Sequence, residues 1–246
     1  MTRAIGAMTA AAVFLAGGTA LAQDRPGQRM ITLEEAPAWR AVGRLNISGN
    51  RYCTATLVAP NLVITAAHCI FHPLTRHRAH PAEIVFLAGF RLGDYAALRR
   101  AAAVAVLPGY RPGRGIYNVD PGNDVALLRI DPPIAATEAE PIPVATWDGA
   151  DPVSIVAYGE DRPQAASLRE GCQTMDLGAP LYEISCSVVG GVSSAPVIRE
   201  TPEGRRVVAV VVASGGTVAS PSHGMVLAVG GLATELQALL AGPDGQ

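Results

Sequence analysis

Lysine is absent from this sequence: the 19 basic side chains are all arginines, and 21 acidic side chains oppose them. The formal net charge is −2, and no long run of one sign occurs along the chain. A binding surface for nucleic acid or for an anionic membrane needs a basic patch, so we expect neither as a partner. We have no functional account of the missing lysines and attribute their absence to a biased genome composition.

Long apolar runs are also scarce, and the clearest one lies near the start of the chain. Arg3 precedes an uncharged, alanine-rich stretch from Ala4 to Gly18, which is shorter than the ~20 apolar residues that span a bilayer. Ala20-Leu21-Ala22 then fits the small-x-small pattern of a cleavage site. These features predict a signal peptide over residues 1–22 and a secreted or periplasmic protein without a stable membrane anchor. An uncleaved anchor is the alternative.

Cys-x-x-Cys spacing is absent, which argues against a zinc site built on the four cysteines. An even number of cysteines in an exported chain instead permits two disulfides. We expect Cys53 to pair with Cys69 and Cys172 with Cys186. Each bond would close a loop of about 15 residues and contribute about 3 kcal/mol through restriction of the unfolded chain. Neither a metal nor a cofactor is expected.

Three histidines, His72, His77 and His80, cluster in a segment that also holds prolines and arginines. A metal site is one interpretation, because histidine is a common ligand. Their spacing matches no helix or strand face, and no acid lies between them. A solvated loop is therefore the favoured interpretation.

Short apolar runs separated by turn residues fill the rest of the chain. Their spacing of about 8–12 residues or somewhat more, with Pro-Asn, Gly-Asn and Pro-Gly between them, predicts antiparallel strands closed into sandwiches or barrels. Residues 131–143, rich in proline and alanine, have the composition of a connection between two halves. The run from Leu232 to Leu240 has helical spacing, and we expect a terminal helix that packs on the second half.

Three separated segments carry residue types suited to nucleophilic catalysis. His68 stands in Thr65-Ala66-Ala67-His68-Cys69, and Asp124 heads the apolar run Val125–Leu128. Ser193 lies in the turn Gly190-Gly191-Val192-Ser193-Ser194-Ala195-Pro196. A serine hydroxyl needs an adjacent base, histidine suits this task with a pKa of about 6.5, and a buried carboxylate fixes the imidazole tautomer. The ordinary interpretations are a core or surface histidine, a cap and a turn serine.

In the order His, Asp, Ser, these segments resemble those of bacterial trypsin-like serine peptidases of the chymotrypsin fold, near the glutamyl-endopeptidase-like branch. The resemblance covers the chain from about Ala41 to Val229. It implies an all-β fold of two six-stranded antiparallel β-barrels, with the active site in the cleft between them and a C-terminal helix. We therefore expect a leader or N-terminal arm over residues 23–40, the first barrel over 41–135, and the second barrel with the terminal helix over 136–246.

The serine segment departs from the family pattern Gly-Asp-Ser-Gly-Gly-Pro. Val192 replaces the acid that pairs with a newly cut N-terminus in digestive-type relatives, so we expect activity not to depend on a buried N-terminal ammonium. Ser194 replaces the glycine after the nucleophile, and a positive φ there costs serine about 1–2 kcal/mol. A nucleophile at Ser194 instead of Ser193 is the alternative assignment. The backbone N–H groups of Gly191 and Ser193 are expected to form the oxyanion hole.

The resemblance also implies where substrate specificity resides. Ser187 is expected at the floor of the primary pocket, where the absence of an acid argues against selection for arginine or lysine. Ser214, Gly215 and Gly216 are expected on the strand that pairs with the substrate. Glutamyl endopeptidases carry a histidine where Ala213 stands here, and this departure weakens a glutamate preference.

The sequence thus predicts an exported, monomeric serine endopeptidase that hydrolyses protein or peptide substrates through a His68-Asp124-Ser193 triad and an acyl-enzyme. One alternative is a catalytically silent homologue that binds protein through the cleft, which Val192 and Ser194 favour. Another is an esterase that uses the same triad on a non-peptide acyl group. An α/β-hydrolase is disfavoured, because no Gly-x-Ser-x-Gly motif is present.

Overall fold

The computed structural model describes residues 27–113, 120–150, 152–214 and 222–242, and only the backbone of Ser214 and Ser222. The predicted signal peptide over residues 1–22 lies outside the described residues. The described chain is mostly β-structure, as predicted. Its strands and α-helices are β1 (Gln28–Met30), β2 (Val42–Ile47), β3 (Arg51–Ala59), β4 (Leu62–Thr65), α1 (Ala67–Ile70), β5 (Ile84–Ala88), β6 (Ala97–Val106), β7 (Ala126–Asp131), β8 (Val153–Ala157), β9 (Ser167–Cys172), β10 (Thr174–Asp176), β11 (Leu181–Val188), β12 (Pro196–Thr201), β13 (Gly204–Ser214), β14 (Ser222–Ala228) and α2 (Gly230–Ala241).

Strands β2 to β7 close into a six-stranded antiparallel barrel, in the order β2-β3-β4-β7-β6-β5. Its apolar side chains point inward, and Leu45, Leu57, Ile64 and Leu127 are fully buried. Burial of one such side chain contributes about 1.5–3 kcal/mol. This barrel therefore forms a rigid support for whatever its strand ends carry, and the prediction of a first six-stranded barrel is confirmed.

Two segments of the chain meet at one end of this barrel. β4 runs directly into α1, and the short 3-10 helix Pro121–Asn123 precedes β7. Thr65 at the end of β4 pairs with Ala126 at the start of β7. The residues just after β4 and just before β7 therefore lie side by side. These residues include His68 in α1 and Asp124 ahead of β7.

The second half of the fold is a curled sheet in the order β1-β9-β8-β12-β13-β14-β11-β10. The sheet curls enough for β11 to contact β9 as well as its ladder partners. It forms a half-barrel opposite the closed first barrel, which confirms the predicted two-part architecture. β1 joins an edge of this second sheet, through pairing of Gln28 with Arg169, although it precedes the first barrel in the chain.

The predicted C-terminal helix is present as α2, but the expectation that it packs on the second half is wrong. α2 contacts β6 and β7 of the first barrel. Leu236 and Leu240 are buried in the same apolar cluster as the interior of that barrel. The helical periodicity of the sequence predicts that α2 has an apolar face, but it does not predict which surface of the protein that face covers. Among the described residues, no helix combines the length and apolar character needed to cross a bilayer.

Both predicted disulfides are present. Cys53 in β3 is bonded to Cys69 in α1, with Cα atoms 6.2 Å apart. Cys172 at the end of β9 is bonded to Cys186 in β11, with Cα atoms 5.1 Å apart. Structural disulfides are typical of oxidising compartments. The first of these bonds also ties α1 to the wall of the barrel.

Candidate active site

His68 and Asp124 form a hydrogen-bonded pair at the end of the barrel. Nδ1 of His68 lies 2.6 Å from Oδ2 of Asp124, and the His68 backbone N–H donates to Oδ1 at 2.7 Å. The Asp124 side chain is fully buried, whereas 29% of the His68 side chain is exposed. A carboxylate that accepts from Nδ1–H fixes the tautomer in which Nε2 is free to take a proton. Through Oδ1, Asp124 also binds an N–H in the first turn of α1.

Opposing effects set the pKa of His68. Desolvation disfavours the imidazolium, but the charge of Asp124 and its hydrogen bond outweigh this effect and raise the pKa of His68 above its usual value. The charge of Arg51 acts in the other direction and limits the rise in pKa. Arg51 also donates from Nη1 to the carbonyls of Cys69 at 3.3 Å and Phe71 at 2.8 Å, at the end of α1. The sequence did not indicate this role for Arg51.

Tyr110 is a second residue beside the site that the sequence did not indicate. Burial and the nearby charge of Asp124 raise the pKa of its phenol far above the usual range. The ring packs against Phe71, with ring centroids 5.6 Å apart. Tyr110 therefore contributes to the dry surroundings in which Asp124 is buried. An aromatic residue beside glycine and proline in a loop carries no signal that points to such a place.

Ser193 lies in the turn between β11 and β12, on the second sheet, and is partly exposed. Its carbonyl accepts from the N–H of Thr54 in β3 at 3.2 Å, and the N–H of Ser194 donates to the carbonyl of Val211 in β13 at 2.8 Å. Both halves of the fold therefore hold this turn. Among the described residues, no hydrogen bond joins the Ser193 hydroxyl to His68. Such bonds are often long until a substrate is bound.

The turn ahead of Ser193 presents backbone donors. Gly191 has φ +79°, and a Cβ there would lie 2.6 Å from the carbonyl oxygen of Tyr158, so the position requires glycine. The carbonyl of Gly190 accepts from the N–H of Glu160 at 2.8 Å, which turns the N–H of the next residue the opposite way. In the described part of the chain, the N–H groups of Gly191 and Ser193 donate to no other group. Two unoccupied donors beside a serine suit a developing oxyanion.

Ser194 occupies a different environment from its neighbour Ser193. It is fully buried, and its φ is +67°. Its Oγ accepts from the N–H of Ala66 at 2.6 Å and lies 2.9 Å from Oγ1 of Thr65. A buried hydroxyl with these partners is poorly placed to attack a substrate. This geometry favours Ser193 over Ser194 as the nucleophile.

A family model described as Trypsin matches residues 32–220, which is more than half of the chain. The chain belongs to the trypsin family. The matched span contains His68, Asp124 and Ser193. Membership of the trypsin family supports a serine protease fold and a hydrolase in general, and trypsin-like proteases act on protein substrates.

Val192 stands in the serine turn at the position where digestive-type relatives are expected to carry an acid. Its side chain is fully buried in the apolar cluster of the second sheet, together with Val189, Ala157 and Val197. An ammonium group placed in that cluster would lose its hydration. The burial of Val192 is consistent with the expectation that no N-terminal ammonium is buried beside the turn.

Two of the residues expected to set specificity, Ser187 and Ser214, lie on strands of the second sheet. Ser187 is half-buried in β11 and pairs in register with His223 in β14. Nδ1 of His223 in turn lies 2.8 Å from Oε1 of Glu183. Ser214 is the last residue of β13, and Gly215-Gly216 lie outside the described residues. The specificity of this trypsin-family chain therefore stays a prediction.

Within the described residues, the group whose ligand atoms are close enough to hold a metal is Cys53, His68 and Cys69. The two cysteines are joined in a disulfide and so offer no thiolate. In the histidine-rich loop, Nδ1 of His72 accepts from the N–H groups of residues 74 and 75, and Nδ1 of His80 accepts from that of residue 82. These two side chains stabilise the turns of their own loop.

Proposed function

We propose that the protein is an exported serine endopeptidase that cleaves peptide bonds through Ser193, His68 and Asp124. The observation that carries the proposal is the buried Asp124 bonded to Nδ1 of a partly exposed His68, at the barrel end against which the Ser193 turn is held. The two disulfides and the apolar segment at residues 4–18 support export to an oxidising compartment.

In the proposed reaction, Oγ of Ser193 attacks the peptide carbonyl carbon while Nε2 of His68 takes the hydroxyl proton. Asp124 stabilises the imidazolium. The carbonyl oxygen becomes an oxyanion that accepts hydrogen bonds from the N–H groups of Gly191 and Ser193. Collapse of this intermediate breaks the C–N bond, and the imidazolium gives its proton to the leaving amine. Water then attacks the acyl-enzyme by the same steps and releases the acid product.

Two other functions remain as alternatives to the proposal. The departures at Val192 and Ser194 favour a catalytically silent homologue that binds protein through the cleft. The same triad would also serve an esterase. The neutral side chain at Ser187 argues against a preference for arginine or lysine in either kind of hydrolase.

A fluorophosphonate that labels active serines tests the proposal on the purified mature protein. We expect the adduct to map to Ser193, and we expect Ser193→Ala to abolish labelling. The matched variant Ser194→Ala should still be labelled at Ser193. Hydrolysis is then compared between a peptide and an ester with the same acyl group.

Each alternative has its own outcome. An unlabelled wild-type protein would indicate the silent homologue, and labelling with hydrolysis of the ester alone would indicate the esterase. Labelling that survives Ser193→Ala but disappears in Ser194→Ala would overturn the assignment of the nucleophile.

A further inference from the structure

Ser194 is a serine held in a backbone conformation that favours glycine. Its φ of +67° lies in the left-handed region, where a residue with a Cβ is strained. Such strain persists only where the surrounding structure imposes it. The side chain is also fully buried, so any interaction that compensates for the strain must involve the contacts of its hydroxyl.

The hydroxyl of Ser194 has all of its hydrogen-bonding capacity in use. Its Oγ accepts from the N–H of Ala66 at 2.6 Å and from Oγ1–H of Thr65 at 2.9 Å. Sγ of Cys69 lies 3.1 Å away and carries no hydrogen because it is part of a disulfide. The Ser194 O–H is therefore the donor in that contact. One donor and two acceptor positions are all that a hydroxyl possesses.

These contacts cross the cleft between the two halves of the fold. Ser194 directly follows Ser193 and belongs to the second sheet. Thr65 ends β4, and Ala66 is the N-cap residue immediately before α1, two positions before His68. No side chain of its own segment caps that end of α1. A single buried hydroxyl thus joins the residue after the nucleophile to the first turn of the helix that carries the base.

We propose that Ser194 is a positioning residue whose hydroxyl sets the distance and orientation between Ser193 and His68. This inference rests on the proposed function of those two residues. Glycine at position 194 would relieve the backbone strain, but it would leave the buried N–H of Ala66 without its acceptor, and the hydroxyl of Thr65 with only the carbonyl of Thr54 at 3.5 Å. The serine therefore stabilises one arrangement of the two catalytic segments at the cost of local strain.

A purely structural role makes a different prediction, and Ser194→Gly separates the two. Glycine adopts the observed φ without strain and adds no bulk, so a structural role leaves kcat unchanged in this variant. A positioning role lowers kcat and the rate of fluorophosphonate labelling, because small displacements of reacting groups cost about tenfold to a hundredfold in rate. KM should stay close to its wild-type value.

The experiment compares Ser194→Gly and Ser194→Ala with the wild-type protein, and uses Ser167→Ala as the matched control. Ser167 is a buried serine of β9 whose hydroxyl has no hydrogen-bond partner among the described residues, so its removal should leave kcat unchanged. Amide hydrogen exchange at Ala66 supplies a readout besides activity. We expect faster exchange at Ala66 in both Ser194 variants and unaltered exchange in Ser167→Ala.

The outcomes distinguish this inference from the proposed function. A wild-type protein that is not labelled at all overturns both. A wild-type protein labelled at Ser193, together with a Ser194→Gly variant of full kcat, overturns the positioning role alone. If Ser194→Ala fails to fold, Ser194→Gly still decides, since it has no conflict with the backbone at this position.

Discussion

The histidine side and the serine side of the cleft are built in different ways. His68 and Asp124 are brought together within one closed barrel, by the pairing of β4 with β7 and by the disulfide that anchors α1. The serine turn lies between two strands of an open sheet and is held by bonds that reach across to Thr54 and Ala66. The His68–Asp124 pair is thus assembled within one barrel, whereas the turn that holds Ser193 depends on contacts between the two halves.

The two departures from the family pattern, Val192 and Ser194, both lie in the serine turn. The barrel fixes the His68–Asp124 pair through strand register and a buried carboxylate. In the serine turn, an apolar Val192 fills the core of the second sheet and Ser194 adds a bond across the cleft.

The largest effect is expected from breaking the pair on the histidine side with Asp124→Asn. An amide cannot stabilise the imidazolium or hold the same tautomer, so kcat should fall by about 10⁴-fold. In the proposed mechanism His68 acts as a base in its neutral form, so activity should be lost as the pH falls through its raised pKa. Without the charge of Asp124 that pKa falls, so the acidic limb of kcat/KM should move to lower pH. A variant with unchanged kcat and an unchanged acidic limb would contradict the assignment.

A smaller but substantial effect is expected on the serine side from Val192→Asp. An unpaired carboxylate in the apolar cluster should lower the free energy of unfolding by about 3–5 kcal/mol, measured by urea denaturation. Val192→Asn introduces a side chain of the same shape as aspartate but without its charge, and is the matched control.

The start of the chain should not affect activity. In the wild-type protein, chains that start at different points between residues 23 and 27 should show equal turnover. Starts beyond Gln28 would remove β1 and are not equivalent.

Activity that appears only after one defined cut, and that is lost when the new α-amine is acetylated, would contradict this prediction. A Val192→Asp variant as stable as the wild-type protein would contradict the placement of Val192 in the core.

The smallest expected effect comes from removing each disulfide in turn and comparing the resulting changes in stability and kcat. Replacing both cysteines of either pair by alanine should lower the free energy of unfolding by about 3 kcal/mol. The Cys53–Cys69 pair also anchors α1 and contacts the Ser194 hydroxyl, so its loss should reduce kcat as well. Loss of the Cys172–Cys186 pair should leave kcat unchanged at a temperature where the protein stays folded. Equal losses of kcat in both variants would remove the distinction between the two sides.

The sequence indicated several long-range features correctly. The spacing of the cysteines gave both disulfides, and short punctuated apolar runs gave the β-architecture. The segments around His68 and Asp124 were singled out as partners, and the structure places them in contact. The position of α2 was missed, because an apolar helix face does not specify which buried surface it joins.

The sequence by itself determined the residue types available for catalysis, the closure of two covalent loops and the apolar character of position 192. Only the tertiary structure decided that the Ser194 hydroxyl faces Ala66 across the cleft, that Arg51 and Tyr110 lie beside the His68–Asp124 pair, and that α2 covers the first barrel. The physical reason is that strand period, turn chemistry and disulfide spacing act over short stretches of chain. Contacts between residues far apart in sequence depend on how the two halves pack.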